Sequence, residues 1–577
     1  MKKLLRYLKG YGKETVLAPL FKMLEATFEL IVPLVVAGIV DVGIQNRDQA
    51  YIWRMCVVMV LLGVIGLVCS LTAQYFSAKA AMGFSTALRR DMFAHISTLS
   101  YRELDTLGTP TLVTRITSDI NQAQTGVNLV LRLFLRSPFI VVGAVVMAFT
   151  INVRVAVIFL IAVPLISLVI YLIMKLTVPI YRKVQTSLDK ISLMTRENHV
   201  GARVVRAFGR QAEENQEFGE VNDKYTKIQV AAGKISALLN PATYVIMNLG
   251  IVAILWYGSQ EVYHGVITQG EVVALVNYMS QILLALLALA NLIVAVTKAA
   301  ASAIRLNEVF DTRPSLTDEG AVPQKERQGA PRVEFKDVTF TYAGSQEPAL
   351  SHITFEAMAG ETIGIIGGTG CGKSTLVNLI PRFYDVTGGE VLIDGVAAQS
   401  YPFGQIRGKV GMVPQHAVLF KGTIRDNMKW GKEDASEEEI IRALTIAQAI
   451  DFVEGKPEKL DTIISQGGSN LSGGQRQRLT IARALVGMPE ILIMDDSASA
   501  LDFATDAALR HAVKEQTDGM TVFIVSQRAA SIKQADKILV LDDGELKGVG
   551  THKELLETCE VYREICLSQL SEQEVNR

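Results

Sequence analysis

Six stretches of the chain are apolar for 20 residues or more with few charges: residues 16–44, 52–76, 129–151, 155–180, 237–263 and 272–296. About 20 apolar residues is the length at which an α-helix crosses the ~30 Å hydrocarbon core of a bilayer. A helix satisfies its own backbone polar groups in lipid, so the pattern predicts six membrane-spanning helices. Beyond about residue 300 the pattern changes. Residues 311–331 are polar and hold Pro314, Pro323 and Pro331, which reads as a linker. Short apolar runs then alternate with helical periodicity, which predicts an α/β domain around a largely parallel sheet. The expected division is a membrane domain over 1–310, the linker over 311–331 and a second domain over 332–577.

The connections between the apolar stretches alternate in length. Those at 45–51, 152–154 and 264–271 are short, whereas the second and fourth connections run to about fifty residues. The second carries Lys79, Arg89, Arg90, Arg102 and Arg115. The fourth carries Arg182, Lys183, Arg196, Arg203, Arg206, Arg210, Lys224, Lys227 and Lys234, and the fifth has no Lys or Arg. The positive-inside rule places both long loops and both termini in the cytosol of a multi-pass protein of the cell membrane. Helical periodicity persists through the long loops, so the spanning helices are expected to continue past the membrane. Inside the spans, Glu25 and Glu29 are four residues apart and share a helix face, as do Arg132 and Arg136. Charges at that depth are costly, which leaves two readings: a functional role, or mutual pairing near the cytosolic end. Asn248, Asn277, Gln281 and Asn291 either line a cavity or hydrogen-bond between helices.

Composition narrows the partners. The 577 residues include 57 basic and 58 acidic side chains, which gives no electrostatic case for nucleic acid. The five cysteines (56, 69, 371, 559 and 566) have neither metal-ligand spacing nor the pattern of a disulfide scaffold. Residues 1–13 are basic without a following cleavage site and read as a cytosolic surface helix.

The chemistry is concentrated in the second domain. Gly367-Gly368-Thr369-Gly370-Cys371-Gly372-Lys373-Ser374 follows an apolar strand and precedes a helical pattern that begins through Thr375. This is the context of a phosphate-binding loop. Glycines let backbone N–H groups wrap phosphates, and the helix start adds positive potential. Lys373 is expected to hold the β- and γ-phosphates of ATP and Ser374 to ligate Mg²⁺. The buried run 491–495 ends in Asp495, which is placed to hold Mg²⁺ through water. Cys371 is either a thiol made reactive by Lys373 and the helix start or a small residue filling a Ser-like position.

Leu471-Ser472-Gly473-Gly474-Gln475 resembles the signature motif of ATP-binding-cassette (ABC) proteins. Gln415 in Val-Pro-Gln and Ser499-Ala-Leu-Asp502 match that family in order and spacing, and Tyr342 in Phe-Thr-Tyr resembles its adenine-stacking aromatic. With the six-helix half, the resemblance covers nearly the whole chain. It implies the type IV ABC exporter fold: an all-α membrane domain and a cytosolic α/β nucleotide-binding domain with a helical subdomain. It also implies an ATPase coupled to export in which two cassettes sandwich two ATP molecules. Ser472, Gly473, Gly474 and Gln475 would then face ATP held by the partner, Gln415 would join Ser374 and Asp495 around Mg²⁺, and the loop tips near 107–113 and 205–214 would press on the cassettes.

Two positions depart from the family pattern. Asp496 stands where the catalytic Glu is expected, and Gln527 where the switch His is expected. A carboxylate shortened by one methylene is displaced on the ~1 Å scale that costs about a hundredfold in rate. Gln hydrogen-bonds a phosphate but cannot carry positive charge. The pattern resembles the degenerate-site subunit of bacterial heterodimeric multidrug exporters. It implies a second half-transporter as partner, contact with membrane lipid, and a small amphipathic multidrug-type or lipid substrate. Other readings are a nucleotide-sensing membrane subunit that does not transport, and a peptide exporter.

Overall fold

The computed structural model describes residues 2–517 and 519–569, so the last eight residues of the expected second domain lie outside the described residues. The chain forms two compact units. One comprises Met1–Ser97 and Pro110–Thr312, the other Thr98–Thr109 and Arg313–Arg577.

In the first unit, six helices among the described residues are long and apolar enough to cross a membrane. They are Lys3–Ile44, Gln49–Thr98, Thr109–Ile151, Val153–Ala207, Gln211–Tyr263 and Gln269–Asp311, and each contains one of the six predicted spans. The longest has 55 residues, or about 80 Å at 1.5 Å per residue, far more than the hydrocarbon core requires. The expected helical continuation of the long loops is therefore present. The third span is not one regular helix: it breaks into Ile120–Leu133 and Arg136–Ile151. Pro138 accounts for the break, since its ring lacks the N–H that would bond the Phe134 carbonyl and clashes with that turn.

Small residues let these helices approach closely. A Cβ on Gly126 would lie 2.2 Å from the Ala299 Cβ, and one on Gly270 would lie 2.3 Å from the Ala37 carbonyl oxygen. Pro33 removes the N–H that would serve the Glu29 carbonyl, and the Gln281 side chain donates to that carbonyl instead, at 3.3 Å. Tyr278, buried, donates to the next carbonyl, that of Leu30, at 2.8 Å. Glu25 and Glu29 are paired with bases. Arg136 lies 2.7 Å from Glu29 and 3.9 Å from Glu25, and Lys22 lies 2.5 Å from Glu25. Asn248 and Asn277 donate to carbonyls one turn back on their own helices, at 2.9 and 3.0 Å.

In the second unit, the larger sheet runs in the order Glu545–Gly550, Lys537–Asp542, Thr362–Gly367, Thr521–Val525, Ile491–Asp495 and Val410–Val413. All its neighbours are parallel except the first pair. The strand 491–495 reads as a continuous apolar run because both faces are covered: Leu492 and Met494 enter one core, Ile491 and Ile493 the other. An antiparallel sheet in the order Leu350–Ala357, Val333–Phe340, Gly388–Ile393 and Val396–Ala397 packs beside it. Helices at Glu437–Ile446, Ile450–Glu454 and Gly473–Leu485 form the helical part.

The short helix Tyr101–Leu107 belongs to this unit. Ser100 and Glu103 cap its start reciprocally, and Gly108, at φ 74°, ends it. The loop tip expected near 107–113 is thus shifted toward the N-terminus: Pro110 already lies in the next helix, and it is Thr98–Thr109 that packs with the cassette fold. The turn at 208–210, between Val153–Ala207 and Gln211–Ala237, falls inside the other expected tip.

Candidate functional site

The strand Thr362–Gly367 delivers the chain into the loop that precedes the helix Lys373–Leu379. Glycine is required at two points. A Cβ on Gly367 would collide with the Leu541 carbonyl oxygen at 2.0 Å, and Gly372 sits at φ 95°. Within this loop Lys373 is buried and its ammonium donates to the carbonyls of Gly367 (2.9 Å) and Gly368 (2.6 Å). A phosphate group is a stronger acceptor than these two carbonyls, so the lysine is placed to exchange them for it. Cys371 is 5% exposed and its sulfur lies 3.7 Å from the lysine nitrogen. The thiol is enclosed in this arrangement, so the small-residue reading fits it better than the reactive one.

Ser374 donates to Asp495 Oδ1 at 3.0 Å. Asp495 is buried at the end of its strand, and burial holds its pKa above the ordinary carboxylate value; the Asp496 charge adds to this, while Ser374 and Lys373 oppose it. A hydroxyl and a desolvated carboxylate in contact form a donor set that suits a hard divalent cation, which would also compensate the buried charge.

Asp496 adopts the left-handed conformation, at φ 46°, which Asp tolerates better than most residues. Its N–H donates to Val525 at 3.0 Å, and its carboxylate lies 3.4 Å from Gln415 Nε2. The two parallel strands ending at Asp495 and Val525 thus bring residues 495–496 beside the segment holding Gln527, whose side chain is exposed. Lys373, Ser374, Asp495, Asp496 and Gln415 therefore form one connected cluster.

Tyr342 closes the other side. Its hydroxyl lies 3.0 Å from the Thr375 hydroxyl, and its ring meets Tyr384 edge-on at 5.5 Å. Tyr384 in turn donates to Asp105, and Tyr101 packs on Phe383 with centroids 4.6 Å apart. Tyr384 and Asp105 were invisible in the sequence: they lie 279 positions apart, and neither belongs to a motif.

The signature residues do not join this cluster. Among the described residues, no hydrogen bond or ion pair links 472–475 to the phosphate loop. Ser472 caps the helix Gly473–Leu485 in a reciprocal box with Gln475, at 3.1 and 3.3 Å. Asp502 caps Phe503–Gln516, and its bonds from the Thr505 N–H and hydroxyl lower its pKa. A group of three carboxylates, Glu326, Asp394 and Glu490, has metal-like spacing, but the Lys409 ammonium already lies 2.6, 2.9 and 2.8 Å from them in that order.

The family descriptions "ABC transporter transmembrane region" and "ABC transporter" match residues 15–286 and 350–499. The chain is 36% identical to the uncharacterized ABC transporter ATP-binding protein YfiB of Bacillus subtilis (strain 168), over 99% of this chain and 98% of that one. It is 31% identical to the ATP-dependent lipid A-core flippase of Chromobacterium violaceum, over 99% and 97%. A bacterial Atm1-family ABC exporter solved with ATP bound superposes with TM-score 0.80 at 25% identity, covering 99% of this chain and all of that one. The fold and the phosphate-loop cassette define an ATP-binding membrane exporter. The chain belongs to the ABC transporter family, as a half-transporter with one membrane domain and one cassette.

Proposed function

We propose that this half-transporter works with a second, different half to move amphipathic, lipid-like compounds out of the cytosol or inner leaflet, and that its own nucleotide site binds ATP but cleaves it poorly. The observation that carries the reading is the pair Asp496 and Gln527: both sit where water activation is expected, in a site whose phosphate- and metal-holding groups are complete. Lys373 and the loop 367–372 would hold the phosphates, Tyr342 the adenine, and Ser374, Asp495 and Gln415 the Mg²⁺, which supplies charge neutralisation when bound. Ser472–Gln475 and Asp502 would serve ATP across the dimer. The relatives with flippase names favour a lipid-like substrate, and the basic long loops favour cytosolic termini in the cell membrane.

The test is ATP turnover of the isolated chain and of the chain paired with its partner, each in lipid. The proposal expects little turnover alone, and turnover of the pair that rises with a transported amphiphile. Robust turnover by the isolated chain contradicts it.

A further inference from the structure

The segment around Gln527 is fixed from an unexpected side. Its N-terminal flank is held by the sheet: the Ser526 N–H donates to Ile365 at 3.0 Å, and the Ser526 hydroxyl accepts from the Arg528 N–H at 3.0 Å. Beyond it the short helix Ala529–Ile532 sits tightly on the strand below, where a Cβ on Gly364 would lie 2.8 Å from the Ile532 Cβ. Between these anchors, residues 527–529 are spanned by one side chain. Gln569 donates from Nε2 to the Gln527 carbonyl at 2.8 Å and accepts at Oε1 from the Ala529 N–H at 2.9 Å. A donor and an acceptor facing it fix which way the amide points.

Gln569 is itself held in place by the helix Glu560–Gln569. Tyr562 and Cys566 are fully buried on one stripe of that helix, and Gln569 continues the stripe three residues on. The Tyr562 hydroxyl lies 2.8 Å from His552 Nδ1. A buried anchor thus presents a primary amide to the backbone on both sides of residue 527.

We infer that Gln569 is a positioning residue for the switch segment, setting where the side chain at 527 meets the γ-phosphate. The inference rests on the reading of Gln527 as the switch position. Gln569 does not touch the nucleotide; it acts by limiting the backbone freedom of 527–529. Glu at 569 keeps the acceptor for the Ala529 N–H but places a carboxylate oxygen against the Gln527 carbonyl, so it keeps one contact and makes the other repulsive. Ala removes both.

The test uses the full-length chain paired with its partner in lipid nanodiscs, with the partner's own site disabled and Asp496→Glu present throughout, so that the Gln527→His background supplies a measurable single-turnover ATP cleavage rate. Gln569→Ala is expected to lower the maximal rate about fivefold, the order expected for one or two neutral hydrogen bonds, with the ATP concentration for half-maximal rate unchanged. Hydrogen exchange read by mass spectrometry should speed up in peptides covering 526–532 but not in the strand 521–525. In a Gln527→Ala background, Gln569→Ala should have no further effect on the rate. A fall carried by weaker ATP binding, a loss of equal size in the Gln527→Ala background, or unchanged exchange at 526–532 overturns the clamp. If Gln569→Ala opens 526–532 while Gln527→Ala and Gln527→His both leave cleavage unaltered, the clamp stands and the switch reading of 527 fails.

Discussion

Tyr384 donates its hydroxyl proton to Asp105 across 2.7 Å. Asp105 sits on the short helix Tyr101–Leu107, whose segment packs with the cassette although the helices on both sides of it belong to the membrane unit. The same tyrosine ring meets Tyr342, so the adenine-stacking candidate is two contacts from that helix. Burial, and then the bond to Asp105, hold the Tyr384 pKa well above the usual phenol value, so the hydroxyl is a donor at every working pH.

Replacing Tyr384 with Phe keeps the ring contact and deletes the bond to Asp105. A hydrogen bond to a charged acceptor is worth about 1.5–3 kcal/mol. The expected outcome is a severalfold smaller stimulation of ATPase by transported amphiphile in the reconstituted pair, with the ATP concentration for half-maximal rate little changed. Full stimulation in Tyr384→Phe would show that this contact carries no signal.

Asp495 gives a pH prediction. Burial raises its pKa, so the folded, metal-free protein holds this proton more tightly than the unfolded chain does. The proton's contribution to stability is present below the ordinary carboxylate value and is lost as pH rises through that value to the raised one. Divalent-cation binding must displace the proton, so Mg²⁺ affinity in the presence of ATP should rise with pH over the same window. Asp495→Asn should weaken Mg²⁺ binding and flatten this pH dependence. Titration calorimetry at stepped pH measures both.

How much of this was legible in the sequence differs by element. The six spans, the phosphate loop and the strand ending at Asp495 are local patterns, and each was visible from periodicity or spacing alone. The break before Pro138 was readable from the proline and from Arg136 and Ser137 beside it, but the stretch reads as one span because it is apolar on average. The loop tip was expected several residues too far along the chain: Gly108 ends the short helix and Pro110 already belongs to the next one. Arg136 as a partner of Glu29, Tyr384 with Asp105, and Gln569 with residue 527 depend on tertiary proximity, which no single-sequence pattern encodes, whereas Lys22 with Glu25 is an i,i+3 pair that the spacing already offered. The box formed by Ser472 and Gln475 has a readable S-x-x-Q spacing, eclipsed by the motif that contains it.

That box sharpens a test of the signature. Ser472→Ala would cost helix-capping energy of about 1 kcal/mol as well as a nucleotide contact, whereas Gly at this position costs only a few tenths. Ser472→Gly is therefore expected to lower turnover of the pair strongly with little change in thermal stability, because it strips the hydroxyl that, under the proposed function, meets ATP across the dimer. Asp496→Asn, which alters the site proposed to be impaired, should lower turnover less. The reverse order contradicts the assignment.

Lys409 tests the reading of the Glu326–Asp394–Glu490 cluster. Burial works against its charge, but its bonds to these carboxylates outweigh that and raise its pKa. Lys409→Met leaves the buried Asp394 with Arg332 as its remaining cationic neighbour and should destabilise the cassette by about 3 kcal/mol. Added divalent cation should not restore the melting temperature. Restoration would mean that the three carboxylates form a metal site.

The central claim is that Asp496 and Gln527 impair cleavage at a site that still binds ATP. Restoring both groups, by Asp496→Glu with Gln527→His, should raise cleavage there. Either change alone should do less, since the two act on one transition state. Glu must also take up the left-handed backbone that Asp496 occupies, a modest strain that should appear as a small drop in thermal stability. The direct measurement is single-turnover ATP cleavage in the pair, with the partner's competent site disabled through its catalytic Glu. Slow cleavage by the unmodified chain, tight ATP retention, and a large gain in the double variant are the predicted result. Cleavage by the unmodified site at the rate of the competent one would contradict it.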